Sequence, residues 1–379
     1  MNNATDVATI TAKADREFPI FKEIESHLKA RGKLNNIQIG WHCHLTAITA
    51  VAAKCLIAAG VDLYLSECTP ATTESSAVEQ MRLDGATIYL GPDSPKRVLE
   101  HDPRVISDTG LVLIEAYIAA AERESNDFRG ASEITGSGIS RLRSLKTIEL
   151  PVVNLNDGVI KSKIENFHGV GDGLVEALDL VSKRSFSKET ATVVGYGQVG
   201  AGAAHYLKRS GVNVKIAETD PVRALLAHYD GYQLGSLEEG LACGNLLVTA
   251  TGQKFLISEA LWQTASNDLT VVNLGHWQEE PNLDALEKVS KHQEKLSKGL
   301  STYTLAKSGN KVHAYTGGAP ANVALLTGSI EPTLLHLATE ILTMDYLVDQ
   351  GQNLDPGEQP LPYEIEKEVS RLALRALKP

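Results

Sequence analysis

Short apolar runs alternate with stretches of helical spacing along the first part of the chain. Ile37–Gly40, Val61–Leu65, Ala86–Leu90 and Arg104–Ser107 read as strands, and Leu45–Ala59, Ser75–Leu83 and Leu111–Glu124 as helices. An opening helix starts at Phe18, with Pro19 near its first turn and Ile20, Ile24 and Leu28 on one stripe. Strand and helix in regular alternation predict a parallel α/β domain. A further strand at Val152–Leu155 leads through Asn-Asp-Gly and a polar, basic stretch into a helix over Leu174–Ser182. A second alternating unit begins at Thr190, with strands at Leu246–Val248 and Thr270–Asn273. The lysine-rich run Lys288–Lys298 reads as a solvated helix face. A long helix, Ile330–Val348, is followed by a loop rich in Pro and Gly and a final amphipathic helix, Glu364–Leu377. No repeat or low-complexity segment interrupts the pattern.

Residues 191–220 carry the most specific local chemistry. The apolar run Thr192–Val194 enters Gly195, Gly197 and Gly200, then a small-residue helix to Ser210, Gly211, a second apolar run and an acid at Glu218. Gly195 permits a tight turn off the strand, Gly197 lets backbone approach a pyrophosphate, and Gly200 lets helix and strand pack closely. Gln198 and Val199 lie at the start of that helix, whose N–H groups and dipole favour phosphate. A carboxylate at the end of the second strand accepts from both ribose hydroxyls and repels a 2′-phosphate, so the pattern predicts NAD rather than NADP.

A length of 379 residues suits two domains. The expected division is a substrate domain over 1–170 and 325–379 and a Rossmann-type NAD-binding domain over 171–324. Two crossings, near 166–188 and 317–327, predict a hinge with the substrate held in the cleft. A formal charge of −11 argues against nucleic acid or an anionic membrane as partner. The polar N-terminus does not resemble a signal peptide, and no apolar run reaches membrane-spanning length. Four cysteines without paired spacing predict neither a zinc site nor a disulfide framework, which suits a reducing cytoplasm. His42 and His44 alternate at a strand end but lack a convergent carboxylate, so no metal is expected.

Several separated stretches carry a set of specific motifs over most of the chain. They are Phe18-Pro19, His44-Leu-Thr46-Ala-Ile-Thr49-Ala50, Ser66-Glu-Cys68 with Ala71-Thr-Thr73-Glu-Ser-Ser-Ala77, and Asp108-Thr-Gly110. Gly130-Ala-Ser-Glu133-Ile-Thr135-Gly-Ser137-Gly138 and Asn154-Leu-Asn156-Asp157-Gly-Val-Ile-Lys161-Ser-Lys163-Ile-Glu165-Asn166 follow. Glu218-Thr-Asp220-Pro221, Thr249-Ala-Thr251-Gly252 and Asn273-Leu-Gly275-His276 complete the set, and together these stretches resemble the S-adenosylhomocysteine hydrolase family. The resemblance implies that resident NAD takes a hydride from the ribose 3′ carbon. The C4′ hydrogen becomes acidic, the 5′ substituent is eliminated, water adds, and the hydride returns. By the same resemblance Lys161 and Glu165 hold and activate the 3′-hydroxyl. His44 and Asp108 act as acid and base on the C5′ side, and His276 lies near nicotinamide and substrate. Thr135, Ser137 and Asn166 are implied to bind NAD, as are Thr251 and Asn273.

Departures from the family fall on substrate recognition. Ile48 stands where the family has the glutamate that reads the adenine amino group, Ile134 where a second glutamate grips the ribose, and Ala319 where a histidine lies near the substrate. Loss of two buried acceptors costs about 2 to 4 kcal/mol or more for a ligand built to satisfy them. Gly136, Thr69 and Val170 also differ from the family, and the chain ends without its Lys-x-x-x-Tyr tail, so either a dimer or a tetramer is open. The expected activity is cleavage or formation of a bond at C5′ of a nucleoside-like substrate. A 5′-lyase or dehydratase, a plain dehydrogenase releasing NADH, and an NAD-binding regulatory paralogue with lapsed catalysis are the alternatives.

Overall fold

A computed structural model describes residues 7–120, 127–182, 185–297 and 299–377. The chain folds as two compact units, residues 1–162 with 330–379 and residues 163–329. The strands in chain order are β1 (Gln38–Cys43), β2 (Asp62–Glu67), β3 (Thr87–Tyr89), β4 (Val105–Asp108), β5 (Gly130–Glu133) and β6 (Pro151–Asn154). The second unit contributes β7 (Thr190–Val194), β8 (Asn213–Ala217), β9 (Gln233–Leu234), β10 (Leu246–Thr249), β11 (Leu269–Asn273), β12 (Ser290–Ser297), β13 (Leu300–Leu305) and β14 (Lys311–Tyr315). The chain then returns to the first unit with β15 (Gly357–Pro360).

The first unit is a wholly parallel sheet in the order β3-β2-β1-β4-β5-β6-β15. The second runs β9-β8-β7-β10-β11-β14 in parallel and ends in the antiparallel pair β13 and β12. Each unit therefore has the doubly wound order in which the chain starts at the centre, runs to one edge and returns to build the other half. Central strands such as β7 and β11 are buried on both faces, as continuous apolar runs require. The fold is α/β, a Rossmann-type unit and a second parallel α/β unit.

Several local differences from the sequence reading have physical causes. Within the Lys288–Lys298 run, Lys288 ends a short helix (Leu283–Lys288), Lys298 lies outside the described residues, and Ser290–Ser297 form the outer strand β12 rather than a helix, paired to β13 with residues 291–296 exposed. Edge position explains why its charges suit a strand: they keep an open ladder from recruiting another chain. The polar stretch before Leu174 is helical, as a wide turn over Ile160–Gly169 that runs into Val170–Ser182. The helix expected over Leu111–Glu124 spans Val112–Ala119; the rest of that expectation, 121–124, lies outside the described residues. No described helix is long and apolar enough to cross a membrane. All four cysteines are free.

Candidate functional site

Because the strands of the first unit are parallel, their C-terminal ends share one edge, and the chain leaves β1 and β4 on either side of the point where strand order reverses. Ligands of open α/β sheets bind at that point, where diverging connections leave a crevice. His44 follows β1 directly and Asp108 ends β4. The His44 ring sits half-buried with Nδ1 2.7 Å from the Thr72 hydroxyl and Nε2 3.9 Å from Cys68 Sγ. Thr72 belongs to the short turn Pro70–Thr72 beyond β2, so the neighbouring strand fixes the imidazole's orientation. His42 points elsewhere: it is buried, its Nδ1 meets Ser66 Oγ at 2.7 Å, and burial followed by the His44 charge lowers it to about 3. It is a neutral core histidine.

Asp108 is fully buried, and its carboxyl accepts from the Thr109 and Ile114 N–H groups at 2.8 and 2.7 Å. Those bonds tie down the first turn of the Val112–Ala119 helix. Burial, and then the neighbouring Glu133, push Asp108 well above the usual carboxylate range. Glu133 ends β5 and accepts from the N–H groups of Gly110 (3.1 Å), Leu111 (2.7 Å) and Thr135 (2.7 Å) and from the Thr135 hydroxyl. Burial lifts it to about 7 against those bonds. Thr135 Oγ1 also accepts from Gly110 N–H at 2.7 Å, so Thr135 braces the same loop. The Ser137 hydroxyl, by contrast, is buried without a hydrogen-bond partner among the described residues.

The Asn-Leu-Asn-Asp turn after β6 is a hydrogen-bonded scaffold. Asn154 Oδ1 accepts from Asp157 N–H at 3.1 Å, and the amides of Asn154 and Asn156 donate to the Asp157 carboxylate at 2.8 Å each. Buried Glu366, from the last helix, accepts the Ile160 N–H at 2.8 Å and so anchors the start of the Ile160–Gly169 helix. That helix has the wide i to i+5 turn often found at functional sites. It carries Lys161 and Glu165, both half-buried and four residues apart, while Lys163 is exposed.

In the second unit the glycine turn has the form a pyrophosphate cradle requires. Gly195 sits at φ +94°, in the left-handed region, and a Cβ on Gly200 would lie 2.0 Å from the Gly195 carbonyl oxygen. A Cβ on Gly197 would meet nothing nearer than the Arg223 guanidinium at 3.9 Å. Gly197 at the N-cap of the Gln198–Arg209 helix supplies no side-chain cap, as suits a helix N-terminus that receives an anion. Gln198 Oε1 accepts from the Asn166 amide at 2.7 Å, bringing together two residues expected to bind cofactor. Val199 is half-buried in the helix's first turn. Glu218 directly follows β8, where the ribose position is expected, but already accepts Tyr196, Thr219 and Asp220 N–H groups at 2.7, 2.7 and 2.9 Å. A carboxylate has about four acceptor positions, so ribose hydroxyls can share it.

Asn273 and Thr251 are framework for the loops beyond β11 and β10. Asn273 is buried, bonds Gly275 through both backbone groups, and donates to the Trp277 and Gly318 carbonyls at 2.9 and 2.7 Å. It thereby holds the loop that carries half-buried His276, whose ring packs edge-on to Trp277. Buried Glu280 accepts from the Thr251 N–H and hydroxyl at 2.7 and 3.0 Å and from Gly252 N–H at 2.9 Å, and burial raises it to about 7. The sequence reading missed Glu133, Glu280 and Glu366 as loop anchors, because an isolated glutamate shows its burial only in the fold.

Residues 166–328 match the family model described as S-adenosyl-L-homocysteine hydrolase, NAD binding domain. The chain is also similar over nearly its whole length to curated proteins. It is 26% identical to the adenosylhomocysteinase of Archaeoglobus fulgidus, covering 96% of this chain and 92% of that one. It is 28% identical to the adenosylhomocysteinase of Gloeobacter violaceus, over 96% and 88%. It is 26% identical to the S-inosyl-L-homocysteine hydrolase of Methanopyrus kandleri, over 95% and 88%. Residues 166–328 thus resemble this family's NAD-binding domain, and nearly the whole chain is similar to its curated hydrolases. Its second unit contains the family's NAD-binding domain, and the open glycine cradle and uncapped helix fit that cofactor.

Proposed function

We propose that the protein hydrolyses a nucleoside thioether of homocysteine by transient oxidation of the sugar, using His44, Asp108, Lys161 and Glu165. The observation that carries this reading is the placement of His44 and Asp108 on either side of the first unit's strand-order reversal. NAD, when bound, supplies the hydride acceptor that makes oxidation of a secondary hydroxyl possible. The Gly195, Gly197 and Gly200 turn and the N-terminus of the Gln198–Arg209 helix would hold its pyrophosphate, and Glu218 its ribose. Asn166 with Gln198, together with Thr135, Ser137, Thr251 and Asn273, would complete the cofactor contacts.

Lys161 takes the proton of the 3′-hydroxyl, with Glu165 orienting the pair and His276 bounding the site. His44 and Asp108 share the transfers at C5′: one proton leaves C4′, one reaches the departing sulfur, and the C5′–S bond breaks. Water then adds at C5′ and the hydroxyl is restored, so thioether plus water gives nucleoside plus homocysteine thiol. The Thr72 contact holds the imidazole ready for this exchange.

Base recognition differs from a carboxylate-reading site. Ile48 is half-buried in the first turn of the helix after His44, and Ile134 and Ala319 are buried. An apolar wall discriminates weakly between a 6-amino and a 6-oxo purine. The purified protein, loaded with NAD, should release thiol from S-adenosylhomocysteine and S-inosylhomocysteine with kcat/KM within about tenfold of each other. Lys161→Ala should lose about 10³-fold or more in that assay while retaining NAD. Thiol release undiminished in that variant would remove the proposed role of Lys161. We further propose a homo-oligomer working in a reducing compartment, which the free cysteines suit.

A further inference from the structure

The long helix Ile330–Gln350 carries a group of polar side chains to which the reaction above gives no task. It packs on β4 and β5 and on the helices Ile20–Arg31, Ala47–Ala58 and Tyr363–Ala376. On its buried face lie His336 and Glu340, one turn apart, with Nε2 3.8 Å from Oε2. Glu340 is fully buried; its Oε1 accepts from the Ser107 hydroxyl at 2.5 Å, and Ser107 accepts from Ser132 at 3.0 Å. Glu340 Oε2 and both ring nitrogens of His336 are buried without hydrogen-bond partners among the described residues, and the Trp41 indole lies beside the same carboxyl. Unsatisfied polar atoms gathered in one place are costly, and native structures keep them where chemistry requires them.

The surroundings indicate which chemistry. Lys161 acts electrostatically on both Glu340 and His336, His44 acts on His336, and Asp108 acts on Glu340. On the strand side Cys43 feels Glu340 and Asp108 feels Glu133. Arg31, His27, Lys33 and Asp349 gather instead around Asp345, farther along the helix, and Glu366 is engaged with Ile160 N–H. Burial raises Glu340 to about 7 and holds His336 well below its usual range, so near neutrality the imidazole is uncharged and the carboxyl is close to balance.

We propose that Glu340 and His336 are positioning residues for Lys161: the carboxyl supplies the buried negative charge that acts on the ammonium, and the imidazole, one helical turn away, keeps that carboxyl poised. The proposal rests on the reading above in which Lys161 receives the hydroxyl proton. It places a working carboxyl on the long helix, outside the loops that carry the other site residues.

The test follows the ε-methylene of Lys161 by NMR in full-length, NAD-loaded protein labelled with [ε-¹³C]lysine, the signal being assigned by its loss in Lys161→Arg. In the wild type that signal should inflect near pH 7 as Glu340 ionises. Glu340→Gln should abolish the inflection, Glu340→Asp should retain one, and His336→Leu should move it to higher pH because an apolar neighbour favours the neutral carboxyl. First-turnover reduction of NAD by a nucleoside thioether should slow about tenfold in Glu340→Gln and recover in Glu340→Asp. Should Glu340→Gln not fold, His336→Leu carries the same test. An inflection near pH 7 that is absent from the wild type, or that persists unchanged in the variants, overturns the proposal. The predicted inflections without reduction by any nucleoside thioether would uphold the pair and remove the reaction proposed above. Reduction with no such inflection would do the reverse.

Discussion

At the scale of single residues, buried acids dominate the physics. Burial raises Glu133, Glu280 and Glu340 from 4.5 to about 7, so between those values the folded protein binds protons that the unfolded chain has released. Their contribution to stability is fully present below about pH 4.5 and is lost as pH rises through 7, on the order of 3 kcal/mol for each group. His42, lowered from 6.5 to about 3, has the opposite sense: its contribution is present above 6.5 and declines as pH falls towards 3. Chemical denaturation across this range should show greatest stability on the acid side of neutrality, and Glu340→Gln should flatten the alkaline decline. A decline of equal slope in that variant would contradict the assignment. His44, Lys161 and the glycines could be singled out in the sequence because they fall in motifs. Their supporting acids were not readable.

At the scale of elements, the glycine turn and the edge strand make separate demands. A methyl group on Gly200 would overlap the Gly195 carbonyl, 2.0 Å away, and force strand and helix apart. Gly200→Ala should therefore cost about 2 to 4 kcal/mol and most of the bound NAD, measured by thermal melting and by cofactor released on denaturation. Strand β12 forms the outer edge of the second sheet, with Lys291 and Lys295 exposed on it. Replacing both by valine should drive self-association visible in size-exclusion chromatography; an unchanged elution profile would show that these charges do not guard the edge. Periodicity revealed the central strands because they are buried on both faces. It misassigned β12, since an exposed charged strand carries no apolar alternation, and it missed the Ile160–Gly169 helix, whose wide turn departs from the 3.6-residue repeat.

At the scale of the whole molecule, two doubly wound sheets each present a C-terminal edge, one carrying His44 and Asp108 and the other the glycine turn. The sequence reading drew the unit boundaries at 170/171 and 324/325, and the folded chain divides at 162/163 and 329/330. The first difference falls within the helix that carries Lys161, where one continuous element spans the division and no loop marks it. The most direct test mixes NAD-loaded protein with S-adenosylhomocysteine or S-inosylhomocysteine and follows the near-ultraviolet absorbance of reduced nicotinamide through turnover. Reduction should rise and fall within each turnover with no NADH released to solvent. Sustained accumulation of free NADH, or thiol release with no reduction at any time, would contradict transient oxidation of the sugar.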